Sequence, residues 1–177
     1  MRKLKLEELQ RISVDEFKSS EKNPLIVVLD NVRSMYNVGA VLRTADAFLI
    51  EKVYLCGITP KPPHREIRKT AIGAEESVDW EAREDCVELI YELKQKGYRI
   101  LSVEQTEKST NLMDFTHDGR PCAVVFGHEV EGVNQEVVNL SEIAIEIPQF
   151  GTKHSLNISV ATGIVLYDLI LAKGLHN

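Results

Sequence analysis

Cysteine is scarce in this chain, and the spacing that would make it informative is missing. Cys56, Cys86 and Cys122 are odd in number and far apart, with no C-x-x-C pair. That argues against a disulfide framework and a cysteine zinc site; each is expected to fill space as a small core residue. The five histidines are scattered, with none in a metal-ligand pair, so no metal is expected. No repeat, low-complexity tract or long Gly/Ser linker interrupts the sequence. The N-terminus, MRKLKLEELQRISVDEF, lacks the apolar core of a signal peptide. The longest greasy segment, 158–172, contains Asp168 and is too short to span a bilayer. A cytoplasmic protein away from the membrane is the expectation. The glycine signatures G-x-x-x-x-G-K-[ST] and G-x-G-x-x-G are absent, which removes the usual nucleotide, NAD and Rossmann-methyltransferase readings. His154-Ser155 resembles a hydrolase fragment, but no G-x-S-x-G elbow surrounds it.

What is present suits one soluble domain. The chain has 177 residues, 44% apolar and 27% charged, enough for one full core and too few for two. Residues 1–20 read as an N-terminal helical segment and 21–177 as a single domain. The net charge of −6 argues mildly against nucleic acid, yet its distribution is uneven. Lys61, His64, Arg65, Arg68 and Lys69 cluster around the single acid Glu66, and Arg2, Lys3, Lys5 and Arg11 gather near the start. Acids concentrate in EESVDWEARED at 75–85. Two solvated faces of opposite sign would explain this, as would a local basic platform on an acidic protein.

Short runs rich in β-branched residues recur at 25–29, 53–57, 98–103, 122–127 and 144–147, and they predict strands. Between them lie helical patterns. One starts near Gly39 and sets Val38, Val41, Leu42, Ala45 and Leu49 on one face, with Arg43 in its first turns. A second spans 84–97 and closes on Gly97, and a third spans 134–140 with Asn134 as N-cap. The last, 156–173, is apolar on most sides, so it should be largely buried. Strand and helix alternating, with unbroken apolar strands, predict an α/β fold: a mostly parallel sheet with helices on both faces. Ligands of such sheets bind beyond the carboxyl ends of the strands. Three loops there are dense in polar residues and glycine: DNVRSMYNVG, GHEVEG and PQFGTKHSLN.

These loops carry Asn37, Arg43, Glu129, Ser155 and Asn157, with glycines at 39, 127, 132 and 151. Ser155 stands where a helix starts, so capping would also account for its hydroxyl; Asp46 and Asp168 read as surface or helix-packing residues. Asn37, Gly39 and Arg43 match N-x-G-x-x-x-R. Phe126, Gly127, Glu129 and Gly132 match F-G-x-E-x-x-G. Ile147, Pro148, Gly151, Ser155, Leu156, Asn157, Ser159, Val160 and Ala161 match I-P-x-x-G-x-x-x-S-L-N-x-S-V-A. Three motifs in order, each at the end of a predicted strand, resemble the SpoU (TrmH-like) branch of the SPOUT RNA methyltransferases over about residues 25–172. Gln149 and Ile158 depart from the common Met and Val without touching the polar set.

The resemblance implies a C-terminal deep trefoil knot, which periodicity would not suggest. It also implies a homodimer and S-adenosylmethionine as cofactor, with Gly127, Ile147 and Leu156 lining the adenosine pocket. The implied reaction is methyl transfer to a ribose 2′-hydroxyl of tRNA or rRNA. Arg43 would contact the 2′-oxygen or a phosphate and stabilise negative charge; a surface ion pair with Asp46 is its structural alternative. Glu129 would either orient Arg43 or cap its own turn, while Asn37 and Asn157 would position ribose or fix the loops. Glu131 and Arg33 read as surface positions. Many relatives carry an added RNA-binding domain that this chain lacks, so RNA docking is expected to use the domain itself, with Arg65, Arg68 and Lys69 as its platform. The competing readings are a non-catalytic SPOUT-like RNA-binding module and methylation of a base.

Overall fold

The computed structural model describes residues 1–175; the last two residues of the expected 21–177 domain lie outside the described residues. Seven strands form one sheet: β1 (Asn23–Asp30), β2 (Ile50–Cys56), β3 (Trp80–Arg83), β4 (Arg99–Val103), β5 (Thr110–Asn111), β6 (Cys122–Phe126) and β7 (Ile143–Glu146). Their order is β3-β2-β1-β6-β4-β7-β5, and every neighbouring pair is parallel. The helices are α1 (Val14–Ser19), α2 (Met35–Ala47), α3 (Arg65–Ala71), α4 (Ala74–Ser77), α5 (Cys86–Gln95), α6 (Gln135–Leu140) and α7 (Ile158–Tyr167).

The apolar strands are unbroken because both faces of the sheet are covered. Successive side chains of β1 alternate between them. Leu25, Val27 and Leu29 join a cluster with α1, α2, α3, α4 and α7, whereas Ile26 and Val28 pack against α5 and α6. Each such fully buried side chain contributes roughly 1.5–3 kcal/mol of transfer free energy. All three cysteines are buried, as expected. Phe17 of α1 enters the first cluster, which docks α1 on the domain. Among the described residues, no helix is long and apolar enough to cross a membrane.

The five predicted strands are all present, and two more flank them. β3 and β5 lie at the sheet's edges, where one is polar and the other is two residues long; neither has the apolar run that marks a central strand. α2 begins at Met35, not near Gly39. Ser34 caps it, accepting a hydrogen bond from the Asn37 amide at 3.3 Å. Gly39 instead faces α3, where a Cβ would stand 2.3 Å from the Ile67 carbonyl oxygen. Asn134 caps α6 as expected. The last helix corrects a second expectation. Ile158, Ala161, Val165 and Leu166 are buried, but Val160, Ile164, Tyr167 and Leu171 are exposed. Their three-and-four spacing puts them on one stripe, so α7 has an apolar face that the domain does not cover. From Asp168 to Ala172 the helix continues with wider, π-type turns.

Because the strands are parallel, β1, β4, β6 and β7 deliver their carboxyl ends to one edge. The loops that follow them meet there.

Candidate active site

A cavity of about 520 Å³ opens at that edge. Its walls come from the ends of β4, β6 and β7 and from residues 149–161, and they include Gly127, Glu129, Ile147, Ser155, Leu156 and Asn157. The size lies within the roughly 300–1,000 Å³ of small-molecule sites. Gly127 is required by its own loop. A Cβ there would stand 2.1 Å from the Val133 amide nitrogen, so only glycine lets the chain return past β6 and still leave the cavity open.

One carboxylate ties the motifs together. Glu129 Oε2 accepts from the Arg33 amide, and Oε1 accepts from the Ser34 amide and from Asn37 Nδ2, each at 3.0 Å. Asn37 Oδ1 in turn accepts from Asn157 Nδ2 at 3.1 Å. Asn157 also caps α7 through the Ser159 amide at 2.9 Å. The expected capping role therefore falls to Asn157 and not to Ser155. Asn37 is buried, and the other two stand at the surface. Partial desolvation works to raise the Glu129 carboxyl, but the bonds from the two amides and Asn37 outweigh it and hold the group below its usual range. Glu129 thus accepts backbone N–H bonds, one of its two expected roles, but from the loop after β1. It makes no bond to Arg43.

Arg43 does not line this cavity. It is exposed, and among the described residues it makes no hydrogen bond or ion pair. The alternative pair with Asp46 is not formed, since Asp46 accepts from the Ser77 hydroxyl instead. Arg43 borders a second hollow of about 900 Å³, shared with Pro148, Ser159, Val160, Ile164 and Tyr167. Ile147 lines both hollows, so the hollow that Arg43 borders adjoins the first cavity at that residue. Arg65, Arg68 and Lys69 border a third hollow with Pro63 and His64. Part of their charge is already matched: Lys69 pairs with Glu66 at 2.8 Å and Arg68 with Glu75 at 3.4 Å. Arg65 has no ion pair among the described residues.

Three residues of the site were not singled out from sequence. His128 Nδ1 accepts from the amides of Val130 and Glu131 at 3.1 Å, which holds the GHEVEG turn. Glu104 accepts from the Val133 amide at 3.0 Å, and Gln105 donates through Nε2 to the His154 carbonyl at 2.7 Å. Both extend from β4 and tie its end to the two loops facing it. Their signal was their place directly after a predicted strand. Among the described residues, no group of three or more His, Cys, Asp or Glu is placed to hold a metal ion.

Known proteins resemble this chain in sequence and in fold. Over 159 residues the chain is 33% identical to a tRNA (guanosine(18)-2′-O)-methyltransferase of Aquifex aeolicus, covering 86% of this chain and 72% of that one. It is 35% identical over 167 residues to the 23S rRNA (guanosine-2′-O-)-methyltransferase RlmB of Pasteurella multocida, covering 92% and 66%. The crystal structure of an AdoMet-bound rRNA methyltransferase from Sinorhizobium meliloti matches the fold with a TM-score of 0.77 at 27% identity, over 90% of this chain and 60% of that one. Residues 24–167 match the SpoU rRNA Methylase family, and the chain belongs to that family.

Proposed function

We propose that the chain is an S-adenosylmethionine-dependent methyltransferase acting on a ribose 2′-hydroxyl of tRNA or rRNA in the cytoplasm. The observation that carries this reading is the chain of bonds Glu129–Asn37–Asn157, which joins all three motif loops at the wall of one cavity. The two relatives, both named guanosine 2′-O-methyltransferases, support the sugar over the base. Residues 21–177 form the catalytic domain, with 1–20 as its N-terminal segment, and the family's deep trefoil knot lies at its C-terminal part.

The cavity residues suit the cofactor. Ile147 and Leu156 offer apolar wall for an adenine ring, and Gly127 adds no side chain that would block it. S-adenosylmethionine supplies a methyl group activated on a sulfonium. The chain's own residues do the rest. Asn37 and Asn157, fixed through Glu129, hold the loops that receive the ribose, and Ser155 presents a hydroxyl to the same cavity. Arg43 contacts the 2′-oxygen or its neighbouring phosphate and stabilises negative charge as it develops. Guanidinium resists deprotonation, which favours this electrostatic role over that of a base. Holding the oxygen in line with the methyl carbon supplies most of the remaining advantage.

The uncovered face of α7, with Phe150 and Met113 beside it, forms a homodimer interface in this reading. That places Arg43 at the seam between two copies. Light scattering on the purified protein should return twice the chain mass, and Tyr167→Asp should return it to one.

The activity assay uses labelled S-adenosylmethionine with bulk tRNA and rRNA, followed by alkaline hydrolysis. A 2′-O-methyl group blocks cleavage at its own nucleotide, so label should appear in alkali-resistant dinucleotides. Label released in mononucleotides, or none incorporated, refutes the reading.

A further inference from the structure

Tyr36 precedes Asn37 in the first turn of α2, and the residue is 50% exposed. The ring is nonetheless held. Its hydroxyl donates to Glu66 on α3, its backbone carbonyl accepts from Thr70 Oγ1 at 3.0 Å, and the Lys69 ammonium lies 5.9 Å from the ring centroid. The close seat of Gly39 on Ile67 fixes α2 against α3 directly behind it. A lone exposed aromatic needs no explanation in itself. This one is fixed at its polar end, half exposed, and has an ammonium group beside its ring. Arg33 and Arg65 are exposed and without an ion pair among the described residues.

Tyr36 also shares a helix side with Arg43. The two are seven residues apart, or two turns, which is about 10 Å of helical rise. Ala40, the residue between them on that side, carries only a methyl group. A strand of RNA whose sugar reached Arg43 would therefore meet the tyrosine ring without a bulky side chain in the way. Unpaired bases are recognised by stacking on such rings, with cations beside them for the phosphates.

We infer that Tyr36 is a substrate-positioning residue whose ring stacks on an unpaired nucleobase next to the target ribose. The inference rests on the proposed RNA 2′-O-methylation and adds to it the element that orients the strand. Arg65, exposed at the start of α3 and without an ion pair among the described residues, supplies positive charge for the backbone of the same strand.

The test uses the full chain, S-adenosylmethionine and the bulk RNA fraction that accepts label. Tyr36→Ala should raise KM for RNA by about tenfold or more, the usual worth of one base–aromatic stack, with a smaller change in kcat and with cofactor affinity by calorimetry unchanged. Tyr36→Phe, which keeps the ring, should restore most of the RNA affinity. Tyr36→Trp places an indole there, and its fluorescence should be quenched by added RNA beyond any quenching of Trp80 in the wild type. An unaltered KM in Tyr36→Ala overturns the inference. So does Tyr36→Phe behaving like Tyr36→Ala with no quenching in Tyr36→Trp, since the tie to α3 alone would then account for the residue. A fall in cofactor affinity that matches the loss of transfer overturns it as well. A wild-type protein that labels no RNA instead removes the functional reading beneath it, and the Tyr36→Trp titration still reports on stacking.

Discussion

Replacing Asn37 by Asp exchanges one NH2 group for one oxygen and should be among the most damaging isosteric substitutions in the molecule. Asn37 Nδ2 donates to Glu129 Oε1 at 3.0 Å. In Asn37→Asp that donor becomes an acceptor, and two carboxylates face each other. The lost bond, being to a charged group, is worth about 1.5–3 kcal/mol. Repulsion at that spacing adds about 1.4 kcal/mol at the dielectric of water and about 5.5 kcal/mol at an effective value near 20. Glu129 is exposed, which favours the lower figure, and the bond from Asn157 to residue 37 grows stronger and offsets part of the loss. A net destabilisation of about 2–4 kcal/mol follows. Asn37→Ala, which severs the bonds without adding charge, should cost about 2 kcal/mol.

The sign of the pH dependence separates the two variants. In the wild type Glu129 is held below its usual 4.5, so its contribution is present above that pH and is lost as pH falls through the lower folded value. In Asn37→Asp the pair shares one site, and one carboxyl is pushed above its unfolded value. That penalty is complete at neutral pH and shrinks as pH falls through the raised value. Urea unfolding at about pH 8 and about pH 5 should show the gap between Asn37→Asp and wild type narrowing at the lower pH, with that of Asn37→Ala nearly constant or slightly smaller. A variant as stable as wild type at pH 8, or a gap that widens on acidification, would refute the reasoning.

Arg43→Ala should abolish methyl transfer with cofactor affinity and melting temperature nearly intact, because the side chain is exposed and makes no bond among the described residues; wild-type turnover in a filter assay would remove Arg43 from the reaction. Arg43→Lys keeps the charge without the planar fork and should retain only a small part of the rate. Neutralising Arg65, Arg68 and Lys69 together should weaken RNA binding and flatten its salt dependence, with Arg65→Ala giving the largest single effect because the other two already have acidic partners. A salt slope unchanged in the triple variant would exclude the platform. Burial pushes the Cys122 thiol up to about 12, and hydrogen bonding to Cys56 raises that of Cys86. Both should resist iodoacetamide near pH 7.5 in the native protein and react after denaturation, as counted by mass spectrometry; rapid labelling of either in the native state would contradict their burial.

The central strands, the parallel sheet and the three motif loops were legible because each is written in contiguous residues: apolar runs, glycines and spaced polar positions. What escaped was written elsewhere. β3 pairs through its backbone with β2, and of its four side chains Trp80 packs against the core, so WEAR carries no apolar run. The start of α2 is set by Ser34 and its cap, which a pattern centred on apolar positions overlooks. The exposed stripe on α7 could not be distinguished by composition from a buried one, because both sides of the helix are apolar. The partners of Glu129 lie more than ninety positions away, and no local spacing reveals such a pairing.

The sheet's two margins have a consequence for how this molecule meets its neighbours. β5 is only two residues long, and β3 is bordered by the ion pairs Lys52–Asp79, Lys52–Glu81 and Arg83–Glu92. A stray strand would find too little backbone at one border and too much fixed charge at the other to add itself. Self-recognition is thereby steered from the strands to the helices, and crowding in concentrated solution should produce discrete particles in place of fibres.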